Sequence, residues 1–205
     1  MKSPKILVLY YSMYGHIYQM AQKVKEGIEA AGGTVILKRV AELVPEQFLD
    51  DYAKQAAALQ KDVPVADPRA DLKGVDGVVL GVPTRFGNMP SQMKNFWDQT
   101  GGDWMKGTLV GKPAAVFTST ATQHGGQEST ILSTHTLLLH HGCVLVGMPY
   151  SIQAQTTMDG LEGGSPYGAG TITGGKGERF PSEVEQGMAR DFGAHFSRIA
   201  AKLAE

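Results

Sequence analysis

An unbroken apolar run, Ile6-Leu7-Val8-Leu9-Tyr10-Tyr11, gives way to the polar turn Ser12-Met13-Tyr14-Gly15-His16 and then to apolar residues at helical spacing, Ile17, Met20, Ala21, Val24 and Ile28. The run shows no polar alternation, which predicts a strand covered on both faces, as in a parallel sheet. Gly32-Gly33 stops the helix. Strand, tight turn and helix in that order leave the first helical amides without acceptors at the positive end of the macrodipole, so an anion is the natural occupant of the turn. The turn has neither the Gly-Lys-Ser/Thr of a Walker loop nor three spaced glycines of the dinucleotide fingerprint. It offers the Ser12 hydroxyl, Gly15 and no cation, so a phosphate held there is held by neutral dipoles.

Four further apolar segments, at 34–40, 77–82, 113–118 and 143–147, join the first at 5–11, with helical patterns between them. That alternation predicts one α/β domain spanning residues 1–205, a doubly wound five-stranded parallel sheet with helices on both faces. The last helix opens on a capping box, Ser182 with Glu185, after Pro181. Its apolar positions Val184, Met188, Phe192, Phe196, Ile199 and Leu203 are expected in the core. Two segments exceed a minimal fold of this type. Residues 41–74 hold a helical pattern (Phe48, Leu49, Tyr52, Ala53, Ala56, Leu59) between Pro45 and Pro64. Residues 150–180 hold eight glycines and are expected to form an ordered loop packed on a neighbour.

With 19 basic and 20 acidic residues the net charge is −1, which gives no electrostatic reason to expect nucleic acid or an anionic membrane as partner. No apolar stretch is long enough to span a bilayer, and the leading apolar run is too short for a signal peptide. Cys143 is the only cysteine, so no internal disulfide forms and a cytoplasmic setting is expected; its place in Cys143-Val144-Leu145-Val146 reads as a buried strand residue. No His, Cys, Asp and Glu cluster has ligand spacing, so no metal is expected, and Ser12 has no partner base for acyl transfer.

In open parallel sheets ligands bind beyond the carboxyl ends of the strands. Three such ends carry small, hydroxyl-bearing, glycine-containing loops: the Ser12 turn, Pro83-Thr84-Arg85-Phe86-Gly87-Asn88-Met89, and Ser119-Thr120-Ala121-Thr122-Gln123-His124-Gly125-Gly126-Gln127-Glu128. The first suits a phosphate. The second offers a cation and an aromatic ring, and the third offers glycines that allow close backbone approach. A phosphate tail on a flat hydrogen-bonding ring system fits all three, and FMN has that shape; the strand order 2-1-3-4-5 binds it at this switch point.

Together with His140-His141-Gly142 and Gly163-Gly164-Ser165-Pro166-Tyr167-Gly168-Ala169, these motifs resemble the WrbA-type (type IV) NAD(P)H:quinone oxidoreductases, flavoproteins of flavodoxin-like fold. The resemblance covers essentially the whole chain. It implies FMN as cofactor, NAD(P)H as co-substrate, a quinone as substrate, two-electron ping-pong hydride transfer, and a homotetramer whose neighbouring subunits complete each site. Carried over by position, Ser12, Met13, Tyr14, Gly15, His16 and Ile17 would hold the flavin phosphate. Pro83, Thr84, Arg85 and Phe86 would line the isoalloxazine, and Ser119, Thr120, Ala121, Thr122, Gln123, His124, Gly125 and Gly126 would wrap its dimethylbenzene and ribityl side. His140 would contact the flavin site, Tyr14 the nicotinamide cofactor and Trp104 the quinone, with Trp97 in the core. Trp104 follows Gly101-Gly102, read as a flexible pair. Ala121 and His124 stand where the family commonly has glycine. A positive Arg85 near the flavin pyrimidine would favour the anionic two-electron-reduced flavin. Two other functions remain open on the residues alone: a flavodoxin-type one-electron carrier, and a non-enzymatic protein-binding scaffold.

Overall fold

The computed structural model describes residues 3–204. β1 (Lys5–Tyr10), β2 (Thr34–Arg39), β3 (Gly77–Pro83), β4 (Pro113–Thr120) and β5 (Val144–Leu145) form one parallel sheet in the order β2-β1-β3-β4-β5, as the spacing predicts. Successive β1 residues point to opposite faces. Ile6, Val8 and Tyr10 pack under α1 (His16–Ala30) and α6 (Glu183–Leu203). Leu7, Leu9 and Tyr11 join the opposite cluster with α3 (Ser91–Asp98) and α5 (Gln127–His140). Both faces are therefore covered. The two helices of the first face touch through glycines: a Cβ on Gly27 would stand 1.8 Å from the Arg190 carbonyl oxygen, and one on Gly193 2.2 Å from that of Val24.

The fifth strand departs from expectation. Only Val144–Leu145 pairs with β4, at Pro113 and Ala114. The chain then leaves the edge and returns as a sixth strand, β6 (Gly170–Ile172), parallel to β4 at Thr118, Ser119 and Thr120. The gap between the half-strands is filled by the tight turn of Ser165 and Gly168, whose amides and carbonyls bond to each other at 3.1 and 3.0 Å. Gly168 must be glycine there, because a Cβ would stand 2.0 Å from the Val116 carbonyl oxygen of β4. The excursion is thus folded back onto the sheet it interrupts.

The capping box forms: Ser182 Oγ accepts from Glu185 N at 3.1 Å and Glu185 Oε2 from Ser182 N at 2.9 Å. Met188, Phe192 and Phe196 are buried, but Val184 and Leu203, near the ends of this 21-residue helix, are exposed. In the 41–74 segment the α-helix is α2 (Asp51–Leu59), preceded by a 3-10 turn at Glu46–Phe48. Phe48 and Leu59 are exposed, and only Ala53 and Ala56 of α2 are buried. Gly101-Gly102 is not a flexible pair but the start of a short helix, α4 (Gly101–Met105), which carries Trp104. Cys143 is buried just before β5, which raises its thiol pKa to about 11.

Candidate active site

The turn after β1 has the geometry its sequence calls for. Gly15 sits at φ 90°, a left-handed conformation that glycine adopts without strain. Ser12 Oγ accepts the Tyr18 amide at 3.1 Å, capping α1 from outside the helix. Among the described residues no protein acceptor serves the amides of residues 13–17. His16, buried at the first position of α1, bonds through Nε2 to the Gly177 carbonyl at 3.0 Å and stacks on Phe180 with ring centroids 4.9 Å apart. A carbonyl only accepts, so the His16 proton resides on Nε2. Burial lowers its pKa, the Gly177 bond opposing, and the ring is neutral at pH 7.

A cleft of about 580 Å³ opens over this turn, within the range of about 300–1,000 Å³ common for small-molecule sites. Three strand ends line it: Ser12, Met13, Tyr14, His16 and Ile17 after β1, Pro83, Thr84 and Arg85 at β3, and Ser119, Thr120 and Ala121 at β4. Donor amides at one end, a guanidinium and hydroxyls along the side, and an apolar remainder fit the phosphate, ribityl and ring of FMN. Thr84 is fixed on both sides: its amide donates to the Ser119 carbonyl at 2.9 Å, and its Oγ1 accepts the Thr130 hydroxyl at 2.8 Å. Arg85 Nη1 donates to the Thr84 carbonyl at 2.9 Å.

Arg85 and Asn88 bond amide to carbonyl in both directions, at 2.7 and 3.1 Å, across a two-residue turn in which Phe86 (φ 53°) and Gly87 (φ 77°) are both left-handed. That is a type I′ turn, and a bulky residue in its first position is strained. Phe86 is 100% exposed and lies outside the cleft lining. Thr122, Gln123, His124, Gly125 and Gly126 also stay outside it, with His124 exposed to solvent.

Trp104 and His140 meet elsewhere. They line a second cavity of about 530 Å³ with Met89, Lys94, Leu137 and His141. Trp104, 55% exposed, donates its indole N–H to the His140 carbonyl at 2.8 Å. Trp97 is buried edge-on to His141, 5.1 Å between centroids, as its core assignment requires. Burial also lowers the His141 pKa, with Asp103 acting the other way.

Two groups of lining residues escaped sequence reasoning. Asp50 and Tyr52 come from the start of α2, where the Tyr52 ring stacks on Tyr14 at 5.8 Å. Thr173, Gly174, Gly175, Lys176, Gly177 and Glu178 form a strap after β6. The signal for the strap was present: Gly170-Thr171-Ile172 followed by a glycine-rich hydroxyl-bearing loop repeats the pattern of the other strand ends.

Residues 4–157 match the family described as NADPH-dependent FMN reductase. A protein of Aromatoleum aromaticum named NAD(P)H dehydrogenase (quinone) is 57% identical, over 97% of each chain. One of the same name from Gluconacetobacter diazotrophicus is 54% identical over 97% of this chain and 98% of its own. The chain belongs to the WrbA-type NAD(P)H:quinone oxidoreductases. A solved WrbA-like flavodoxin of Agrobacterium tumefaciens superposes at a TM-score of 0.66 over 98% of this chain and 99% of its own, at 22% identity, a likeness of fold. Membership agrees with what the turn and cleft allow chemically: an anion-tailed, flat cofactor over the carboxyl edge of the sheet.

Proposed function

We propose that this protein is an FMN-dependent NAD(P)H:quinone oxidoreductase in which the cleft over the Ser12 turn holds the flavin. The observation that carries the reading is the run of acceptor-free amides at residues 13–17, opening into a cleft with Arg85 on its wall. When bound, FMN would supply the two-electron hydride chemistry of a ping-pong exchange between NAD(P)H and a quinone. The chain supplies position and field. The turn amides and the α1 dipole would bind the phosphate, Thr84 and Ser119 would hold the ring, and Arg85 would stabilise negative charge on it. Tyr14, Phe86 and Trp104 form apolar walls between which nicotinamide and quinone rings alternate.

On one protomer Trp104 and His140 border the second cavity, away from the cleft. A homotetramer in which a neighbour lays these residues and the exposed Phe86 ring against the flavin site completes the arrangement. The strap of residues 173–178, which lines the cleft, closes the phosphate side. Among the described residues no helix is long and apolar enough to cross a membrane, and a cytoplasmic setting is part of this reading.

Purified protein should show a flavin absorption band near ~450 nm that bleaches with NAD(P)H and returns on adding a quinone. Colourless protein that takes up no added FMN overturns the proposal. Trp104→Ala should raise the quinone concentration needed for half-maximal rate while flavin content stays unchanged. Loss of flavin in that variant would remove Trp104 from the substrate wall.

A further inference from the structure

The phosphate turn is braced from behind by a segment that a minimal fold of this type does not need. α2 lies against the turn through small residues: Ala56 Cβ is 3.8 Å from where a Cβ on Gly15 would stand. At the end of α2, Gln60 is only 3% exposed although it carries a polar amide. Both amide protons are used. Nε2 donates to the Ala56 carbonyl at 2.9 Å and to the Ser12 carbonyl at 3.0 Å. The first bond anchors the side chain to its own helix, and the second grips the phosphate turn. Gln60 lines a small cavity of about 90 Å³ that shares Ser12 and Met13 with the cleft, but it does not line the cleft itself. It therefore reaches the turn from the side away from the ligand space.

A trans peptide points its C=O and the following N–H in opposite directions. With the Ser12 carbonyl drawn toward Gln60, the Met13 N–H is turned the other way, out of the brace. We propose that Gln60 is a positioning residue for the flavin phosphate: by holding the Ser12 carbonyl from behind, it aims the amides of the turn into the cleft. The proposal rests on the reading that the phosphate occupies this turn. Glutamine is the residue the geometry asks for. Two carbonyl acceptors need two N–H donors on one planar nitrogen, which a glutamate carboxylate lacks and an apolar side chain cannot replace. The consequence is specific to the phosphate, because among the described residues the Gln60 side chain hydrogen-bonds its own helix and the phosphate turn and no group of the other two strand ends.

The test compares FMN with riboflavin, which lacks the phosphate, by fluorescence titration of the flavin-depleted full-length protein. Gln60→Met keeps the volume and removes both donors. It should weaken FMN binding about tenfold, the effect of one lost buried hydrogen bond plus an orphaned carbonyl. Riboflavin binding should change by less than about twofold on the same reasoning. Leu59→Ala, an exposed neighbour on α2, should leave the FMN-to-riboflavin preference as it is. If Gln60→Met fails to fold, Gln60→Asn, one methylene too short to reach both carbonyls, gives the same readout. Unchanged FMN affinity, or an equal loss for both flavins, overturns the positioning role. Wild-type protein that holds riboflavin as tightly as FMN would instead overturn the phosphate assignment beneath it.

Discussion

The strap that closes one side of the cleft hangs on a single buried carboxylate, and removing it should cost more than removing its cationic partner. Glu185 is fully buried. Its Oε1 accepts the amides of Gly163 at 2.9 Å and Ile172 at 3.1 Å, and its Oε2 accepts Thr171 Oγ1 at 2.7 Å and the Ser182 amide at 2.9 Å. Arg179 Nη1 adds bonds to both oxygens at 3.0 and 2.9 Å. The arginine side chain remains 27% exposed. Glu185→Ala would thus orphan two buried amides, the half-buried Ser182 amide and a hydroxyl, and leave Arg179 with Glu162 as its one remaining carboxylate among the described residues. Leaving those donors unsatisfied costs about 3–5 kcal/mol in all, at about 1–3 kcal/mol for each buried one. Arg179→Ala leaves the carboxylate with four other donors and opens a half-wet site, for about 1–2 kcal/mol. For a chain of this size each kcal/mol lowers Tm by roughly 2–4 °C, so the expected drops are about 6–20 °C and about 2–8 °C. Thermal unfolding followed by circular dichroism, with both proteins loaded with FMN, measures the difference. Below its own transition Glu185→Ala should also lose FMN faster, since the segment it pins carries residues 173–178 of the cleft wall. Equal drops, or a larger one for Arg179→Ala, would refute the view that Glu185 is the knot and Arg179 one strand of it.

Gly15→Val should empty the flavin site: φ is 90° at this position, strained for a β-branched residue, and the added methyls enter the space beside Ala56. The measurement is the FMN-to-protein ratio after purification, and a ratio near that of the parent would contradict the loop assignment. His16 should make the fold acid-labile. Its folded-state pKa is lowered by burial, so as pH falls below about 6.5 the unfolded chain binds a proton that the folded chain resists, and stability decreases from that pH downward. Urea midpoints between neutral and mildly acidic pH should fall less steeply in His16→Phe, which keeps the ring on Phe180 but cannot titrate. A slope equal to the parent's would assign the acid sensitivity to the other buried histidines, His135 and His141.

The sheet was legible because its strands are covered on both faces and so read as unbroken apolar runs, from Ile6 to Tyr11 and from Gly77 to Val82. The exception is instructive. Cys143-Val144-Leu145-Val146 looks like a full strand, yet only two residues pair, because the edge it would occupy is shared with Gly170–Ile172, 25 residues further on. Pairing between distant short segments leaves no periodic signal; only the glycines that let Gly168 press on the Val116 carbonyl betray it. The helical pattern of the 41–74 segment does form a helix, α2, but the pattern does not say which side chains it buries. Phe48, Leu49 and Leu59 have the spacing of a core face, but the helix buries alanines against a turn rather than large side chains against the sheet.

At the site, residues adjacent in sequence to a strand end were readable, and residues brought there by the two extra segments were not. The same polar turn that binds best when its amides lack partners is the least able to hold its own shape, since its backbone groups must face the ligand and not each other. Something outside the turn has to fix it. α2 supplies Ala56 and Gln60 on one side, and the strap supplies Gly177 for His16 and the Phe180 ring on another. The segments that exceed a minimal flavodoxin-like plan are therefore where they are for a physical reason: each contributes a polar contact to the turn whose own hydrogen-bonding capacity is reserved for the phosphate.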